Sequence, residues 1–131
     1  MVLKKSRTIK SVRWASALFL LISAVNVYAD VKLLDSFPKS DTKLGESVTD
    51  LRLWFDVEPD PARSKVELLY EDVRIPVVAL HTMGEKDLMG FVRAPTPPGR
   101  YRLFWQTSAV GEDKVNSGVI DFTIAETGTE L

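Results

Sequence analysis

The sequence predicts an all-β domain, an immunoglobulin-like antiparallel β-sandwich with Greek-key connections and about seven strands. Three observations support this prediction. Apolar and polar residues alternate over short segments, and proline, glycine and acidic clusters separate these segments at intervals of about 8 to 12 residues. No segment within residues 30–125 shows a long helical period, and no internal repeat is visible.

Residues 1–29 are predicted to be a secretory signal peptide that is removed before Asp30. Five basic residues and no acidic residue precede the apolar run Ala15–Val25, and the segment ends in Val27-Tyr28-Ala29. This order of a basic start, an apolar run and a small-residue end is typical of a cleaved leader. The alternative, an uncleaved anchor, would need an apolar run of about 20 residues. We therefore expect an exported protein whose mature domain is soluble.

The first half of the domain, which we place at residues 30–125, contains three predicted strands. Val31–Ser36 is the first, and Val48–Asp56 is the second, with Leu, Leu and Phe alternating against polar residues and a tryptophan. The prolines of the segment Pro59–Pro61 lack amide donors and interrupt the ladder, so one short helical turn is expected there. Lys65–Tyr70 is the third strand.

The second half supplies the remaining predicted strands. Ile75–Leu80 and Leu88–Val92 are separated by a glycine-containing turn, and Val119–Ile124 closes the domain. Between them, the Pro-Gly turn at Gly99 precedes a strand that reaches Trp105, a tryptophan that we expect in the core. Residues 126–131 are predicted to be a flexible tail.

Charge and composition exclude several functions. The chain after the leader has 12 Lys and Arg against 18 Asp and Glu, a formal charge of −6. This acidic balance does not suit nucleic-acid binding, which begins with neutralisation of phosphates. The chain has no cysteine and a single histidine, so thiolate chemistry is excluded. No catalytic constellation is visible around that histidine, and we predict that the protein is not an enzyme.

Four segments, in order, resemble the periplasmic copper-resistance CopC family. They are Ser36-Phe37-Pro38 after the first strand, Val48–Phe55, Pro97–Trp105, and Ser117-Gly118 followed by Phe122. The resemblance implies a β-sandwich, copper as the bound metal, and a role as a metal carrier or binding module in copper resistance. It also implies a membrane copper transporter, or another protein of the cell envelope, as the partner.

The resemblance implies a copper(II) site between the mature N-terminus and the loop after the tryptophan. The family holds copper with an N-terminal histidine and an Asp-x-His loop, whereas here the mature chain begins with Asp30. Counting back from the last strand places Glu112 and Lys114 at the loop positions, and counting forward from the tryptophan places Gly111 and Asp113 there. The candidate ligands are therefore Asp30, Glu112 and Asp113, an oxygen-rich, weakened site. The alternative is a solvated acidic loop in which Lys114 forms an ion pair.

His81, Met83 and Met89 form a second group of possible ligands. Imidazole and thioether groups suit copper(I), but the spacing alone does not bring them together. The alternative is a plain hairpin with a surface histidine and with Met89 in the core.

Two other functions remain open. The fold could serve as a metal-free protein-interaction module of the cell envelope, which would explain the missing histidines. Trp54, on the polar face of its strand, could instead mark a contact surface or a site for a glycan or other small ligand.

Overall fold

Residues 30–126 are described by a computed structural model and form a two-sheet β-sandwich. The predicted leader, residues 1–29, and residues 127–131 of the predicted tail lie outside the described residues. Within residues 30–126, no helix is long and apolar enough to cross a membrane.

Nine strands and one three-residue 3₁₀ helix make up the described chain. The strands are β1 (Leu33–Phe37), β2 (Thr42–Leu44), β3 (Asp50–Phe55), β4 (Lys65–Tyr70), β5 (Val73–Ile75), β6 (Val77–His81), β7 (Asp87–Val92), β8 (Gly99–Thr107) and β9 (Asn116–Ile124). The 3₁₀ helix, Pro61–Arg63, lies between β3 and β4, where a short helical turn was expected.

The strands form a four-stranded sheet in the order β1-β3-β7-β6 and a five-stranded sheet in the order β2-β9-β8-β4-β5. The ladders are antiparallel except for the short parallel pair of β2 with β9. The predicted fold class, an all-β sandwich, is therefore confirmed.

Two strand predictions were wrong in detail. The segment predicted as one strand from Ile75 to Leu80 is divided at Pro76, and its two parts, β5 and β6, lie in different sheets. Proline has no amide donor for a ladder, so it suits the point at which a strand leaves one sheet. The short strand β2 lies between the first two predicted strands, where no strand was predicted, because its three residues are too few for a visible alternation.

The core lies between the two sheets and consists of the apolar side chains that the alternating pattern predicted to face inward. On β3, Leu51, Leu53 and Phe55 are buried, while the residues between them face outward. Trp105 is 6% exposed and meets Phe55 of the opposite sheet edge to face, with ring centroids 5.2 Å apart. Its predicted core position is confirmed. Each such large apolar side chain contributes about 1.5 to 3 kcal/mol when fully buried.

Candidate functional site

The chain segments that contain the candidate ligands meet at one end of the sandwich, which we call the loop end. The first predicted ligand lies just before β1, and the other two lie in the loop between β8 and β9. The loop end consists of residues 30–32, 56–60, 82–86 and 108–115.

Glu58 connects three of these segments. Its backbone carbonyl accepts a hydrogen bond from the amide of Val110 at 3.1 Å. Its carboxylate accepts one from the amide of Lys86 at 3.1 Å and one from the hydroxyl of Thr82 at 3.2 Å. The loop after β8 and the β6–β7 hairpin are thereby fixed against the same short segment.

Asp30 lies against the loop after β8, as the predicted metal site requires, but the group that it contacts there is the ammonium of Lys114. The Lys114 ammonium donates a hydrogen bond to the Asp30 carboxylate and forms an ion pair with it. This hydrogen bond, together with the charge of Lys114, holds the pKa of Asp30 below its ordinary value. The ion pair expected under the alternative interpretation is present.

A second cation holds the other part of the loop. Arg63, at the end of the 3₁₀ helix, donates to the Asp113 carboxylate at 2.8 Å and to the Glu112 carbonyl oxygen at 3.1 Å. Apart from this contact with Arg63, the side chain of Asp113 faces solvent and is 93% exposed. No sequence pattern indicated the role of Arg63, because it is separated from Asp113 by 50 positions in the chain.

The residues of the loop end do not fit tight copper(II) binding. Within residues 30–126, no three His, Cys, Asp or Glu side chains are grouped so that they could hold a metal. Two of the predicted ligands, Asp30 and Asp113, are paired with cations, and none of the three predicted ligands is an imidazole. The assignment of Asp30, Glu112 and Asp113 as metal ligands stays a prediction.

The second candidate group lies on the outer face of the four-stranded sheet. His81 of β6 and Met89 of β7 are cross-strand partners. The prediction that Met89 packs in the core was wrong: Leu88 and Gly90 take the inward positions of β7, so Met89 points outward. Met83, two residues after His81, is 59% exposed.

The same outer face carries Trp54, which lies opposite the buried face of β3 as predicted. The Arg52 guanidinium covers its ring, 4.7 Å from the centroid. One face of the indole is therefore unavailable for stacking on a ligand.

Asp87, the first residue of β7, is a structural residue that the sequence analysis missed. It is fully buried, and its Oδ1 accepts hydrogen bonds from the Thr82 hydroxyl at 3.0 Å and from the amides of Met83 at 3.0 Å and Glu85 at 3.2 Å. The shape of the β6–β7 hairpin therefore depends on this carboxylate. A single aspartate beside a glycine turn gave no indication of burial.

The fold and the loop end define a class: a small immunoglobulin-like β-sandwich domain in which the start of the chain meets the loop after the tryptophan strand. The chain belongs to the CopC family, because the family model described as the CopC domain matches residues 33–125. No curated protein sequence gives a significant match.

Solved structures share the fold. PcoC, a methionine-rich copper resistance protein from Escherichia coli, is similar with a TM-score of 0.67 and 20% identity, covering 73% of this chain and 99% of PcoC. CopC from Methylosinus trichosporium OB3b is similar with a TM-score of 0.66 and 16% identity, covering 76% of this chain and 96% of that protein. Domains of the surface-layer protein SbsC reach a TM-score of 0.53 at 9% identity, covering 85% of this chain and 15% of SbsC. At these identities the likeness extends to the fold alone.

Proposed function

We propose that the chain is an exported copper-resistance protein of the CopC type that acts in the periplasm as a weak copper(II) carrier or binding module, not as an enzyme. The partner in this proposal is a membrane copper transporter or another envelope protein. The observation that carries the proposal is the contact between Asp30 and the loop after β8 in a chain of the CopC family.

The chemistry of the loop end supports weak binding. Cleavage before Asp30 would place a free amine beside the Asp30 carboxylate, and Glu112 and Asp113 would add further oxygen donors. Amine nitrogen is a good donor to copper(II), but carboxylates without imidazole form a poorer set. Lys114 and Arg63 already neutralise two of these carboxylates. A metal ion must therefore compete with the cations of the protein itself.

Replacing Lys114 by glutamine is expected to tighten copper(II) binding by about two- to fivefold, since an exposed ion pair contributes little and its removal frees one carboxylate. The measurement is a copper(II) titration, against a competing chromophoric chelator, of protein prepared with an authentic Asp30 terminus.

Lys39→Gln is the matched control. Lys39 forms a similarly exposed ion pair with Asp35, at 2.6 Å, and its replacement changes the net charge by the same amount. Equal tightening in both variants would show a general charge effect and would contradict competition at Asp30. If neither the native chain nor Lys114→Gln binds copper(II) at micromolar concentrations, the proposed site at the loop end is refuted.

A metal-free interaction module is the second candidate, and one observation favours it. The outer face of the four-stranded sheet leaves Phe37 and Phe91 each 43% exposed. Exposed aromatic residues are enriched in protein interfaces. If this face is an interface, Phe91→Ser should abolish capture of an envelope protein that the native chain retains, while Val119→Ser on the other sheet should not. Capture of the same partner by all three proteins would contradict it.

A further inference from the structure

We propose that the outer face of the five-stranded sheet binds a short, neutral oligosaccharide. The site consists of two adjoining hollows along β8 that meet at the side chain of Phe104. Its residues are separate from those of the loop end, and it lies on the opposite sheet from Trp54. The inference does not depend on copper and adds a second ligand to the function proposed above.

The two hollows have the dimensions of a ligand site. The first hollow lies over Arg100 and Arg102 and has a volume of about 720 Å³, and the second lies over Gln106 and Val119 and has a volume of about 480 Å³. Sites for small molecules commonly measure about 300 to 1,000 Å³. The stretch of β8 from Arg100 to Gln106 extends over about 20 Å, at about 3.3 Å a residue. The two hollows together therefore suit a chain of a few linked units.

The walls of the first hollow are fixed by the backbone. On one side, the amide of Asp41 donates to the Asp121 carbonyl oxygen at 2.7 Å and holds the chain that leads into β2 against β9. On the other side, Glu71 and Asp72 form the two-residue turn between β4 and β5, with φ values of 47° and 72°. Positive φ at both central residues matches the twist of the two strands. The hollow is therefore formed before a ligand binds.

Phe104 supplies an apolar surface at the centre of the site. It lines both hollows and is 38% exposed, and its cross-strand partner Val119 is 48% exposed. A pyranose ring has a face made largely of C–H groups, whose slight positive charge is attracted to the negative face of an aromatic ring. One sugar unit can therefore pack on Phe104 while its neighbours occupy the hollows on either side.

Arg102 and Asp121 supply hydrogen-bonding groups in a fixed geometry. Nε and Nη2 of Arg102 donate to the two carboxylate oxygens of Asp121, at 2.7 and 3.0 Å. A guanidinium has five N–H donors and a carboxylate has about four acceptor sites, so the two mutual bonds leave donors and acceptors over, side by side. Neighbouring hydroxyl groups of a sugar both accept and donate, and so can use the two groups together.

The charges of the site favour an uncharged ligand. Among the described residues that line the first hollow, three are Lys or Arg and four are Asp or Glu, and the second hollow has one of each sign. This near balance gives no preference to an anion or to a cation. A peptide is a poorer fit, because peptides that add to a sheet pair with its edge, whereas the backbone groups of a sheet face are already paired.

The test is a titration of metal-free protein starting at Asp30 with three neutral trisaccharides: maltotriose, cellotriose and triacetylchitotriose. NMR of the backbone amide and aromatic signals follows binding. At least one trisaccharide is expected to bind with millimolar affinity and to shift the signals of Phe104, Arg102 and Val119. Because no metal is present, the result is independent of the proposed copper(II) site.

Phe104→Leu removes the ring but keeps an apolar side chain, so it should fold and bind that trisaccharide about fivefold more weakly, the scale of one aromatic contact. Arg102→Gln should weaken binding about as much, since it removes a charged donor. Phe91→Leu is the matched control, because Phe91 is 43% exposed on the outer face of the other sheet. Its replacement should leave the affinity unchanged.

No spectral change with any of the three trisaccharides at tens of millimolar would overturn the proposal. Native affinity in both Phe104→Leu and Arg102→Gln would do the same, as would an equal loss of affinity in Phe91→Leu. Equal affinity for a neutral tetrapeptide of serine and threonine would also overturn the choice of a sugar, because such a peptide carries hydroxyl groups but no pyranose ring.

Discussion

Replacing Gly118 by alanine is expected to destabilise the domain by about 3 kcal/mol, at the upper end of the usual cost of overpacking a core. Gly118 of β9 stands opposite Trp105 of β8. A Cβ atom at this position would lie 2.7 Å from three atoms of the Trp105 indole. The indole is rigid and buried between the sheets, so it cannot move aside cheaply. Urea unfolding of the two proteins measures the difference.

Gly45→Ala is the matched control, because a Cβ atom there would meet no atom within 4 Å. We expect its effect to be within about 0.5 kcal/mol, as for ordinary surface changes. A double-mutant cycle locates the cause: in a Trp105→Phe background, which removes one ring, Gly118→Ala should cost less. An equal cost in both backgrounds would show that the clash with Trp105 is not the reason for the glycine.

Replacing Asp87 by asparagine is expected to cost about 3 kcal/mol at neutral pH, since removal of one partner from a buried charged network leaves the other groups unpaired. The Asp87 carboxylate accepts the three hydrogen bonds of the β6–β7 hairpin and also binds Arg52 at 2.9 Å. Asparagine has one acceptor oxygen in place of two. The difference is measured as the free energy of unfolding in urea.

The loss at Asp87 should depend on pH in a defined direction. Burial alone would raise the pKa of Asp87, but hydrogen bonds from the amides of Glu85 and Met83, from Thr82 and from Arg52 hold it below the ordinary value of 3.8. A folded-state pKa below the unfolded one gives stability that is present above the unfolded pKa and is lost as pH falls through the folded pKa. The difference in the free energy of unfolding between the native protein and Asp87→Asn should therefore become smaller as pH falls from 6 to below about 4.

Asp121→Asn is the control for this experiment. Asp121 binds Arg102 through two hydrogen bonds, at 2.7 and 3.0 Å, but on the exposed face of the other sheet. Exposed ion pairs contribute little, so the loss should be smaller than at Asp87. Similar losses of unfolding free energy in the two variants would contradict the structural role of the buried carboxylate. So would a difference between the native protein and Asp87→Asn that becomes larger in acid.

The fold was predictable wherever burial imposes a two-residue period. β3, β4 and β8 present one face to the core, and their alternation is visible in the chain. β2 was not predictable, because its three residues are held by parallel pairing with β9 rather than by a pattern of their own. The exchange of sheets at Pro76 was missed for a related reason, since apolar residues continue on both sides of the proline.

The loop end was predictable in its location and less so in its contacts. The order of the strands brings Asp30 to the loop after β8, and this agrees with the resemblance to the family. The partner of Asp113 could not be found, because Arg63 reaches it through folding and not through neighbouring sequence. For His81, its opposition to Met89 depends on a bulge in β6, which no periodicity in the sequence indicates.

Copper(II) is proposed to bind at the start of the mature chain, and the most direct test is whether this binding needs a free amine at Asp30. Copper(II) affinity and electron paramagnetic resonance spectra are compared for protein starting at Asp30 and for the same protein with Asp30 acetylated. We predict weak binding with nitrogen coupling in the free form, and loss of both on acetylation. Equal affinity in the two forms, or no copper(II) bound by either, would contradict the proposed copper(II) site at Asp30.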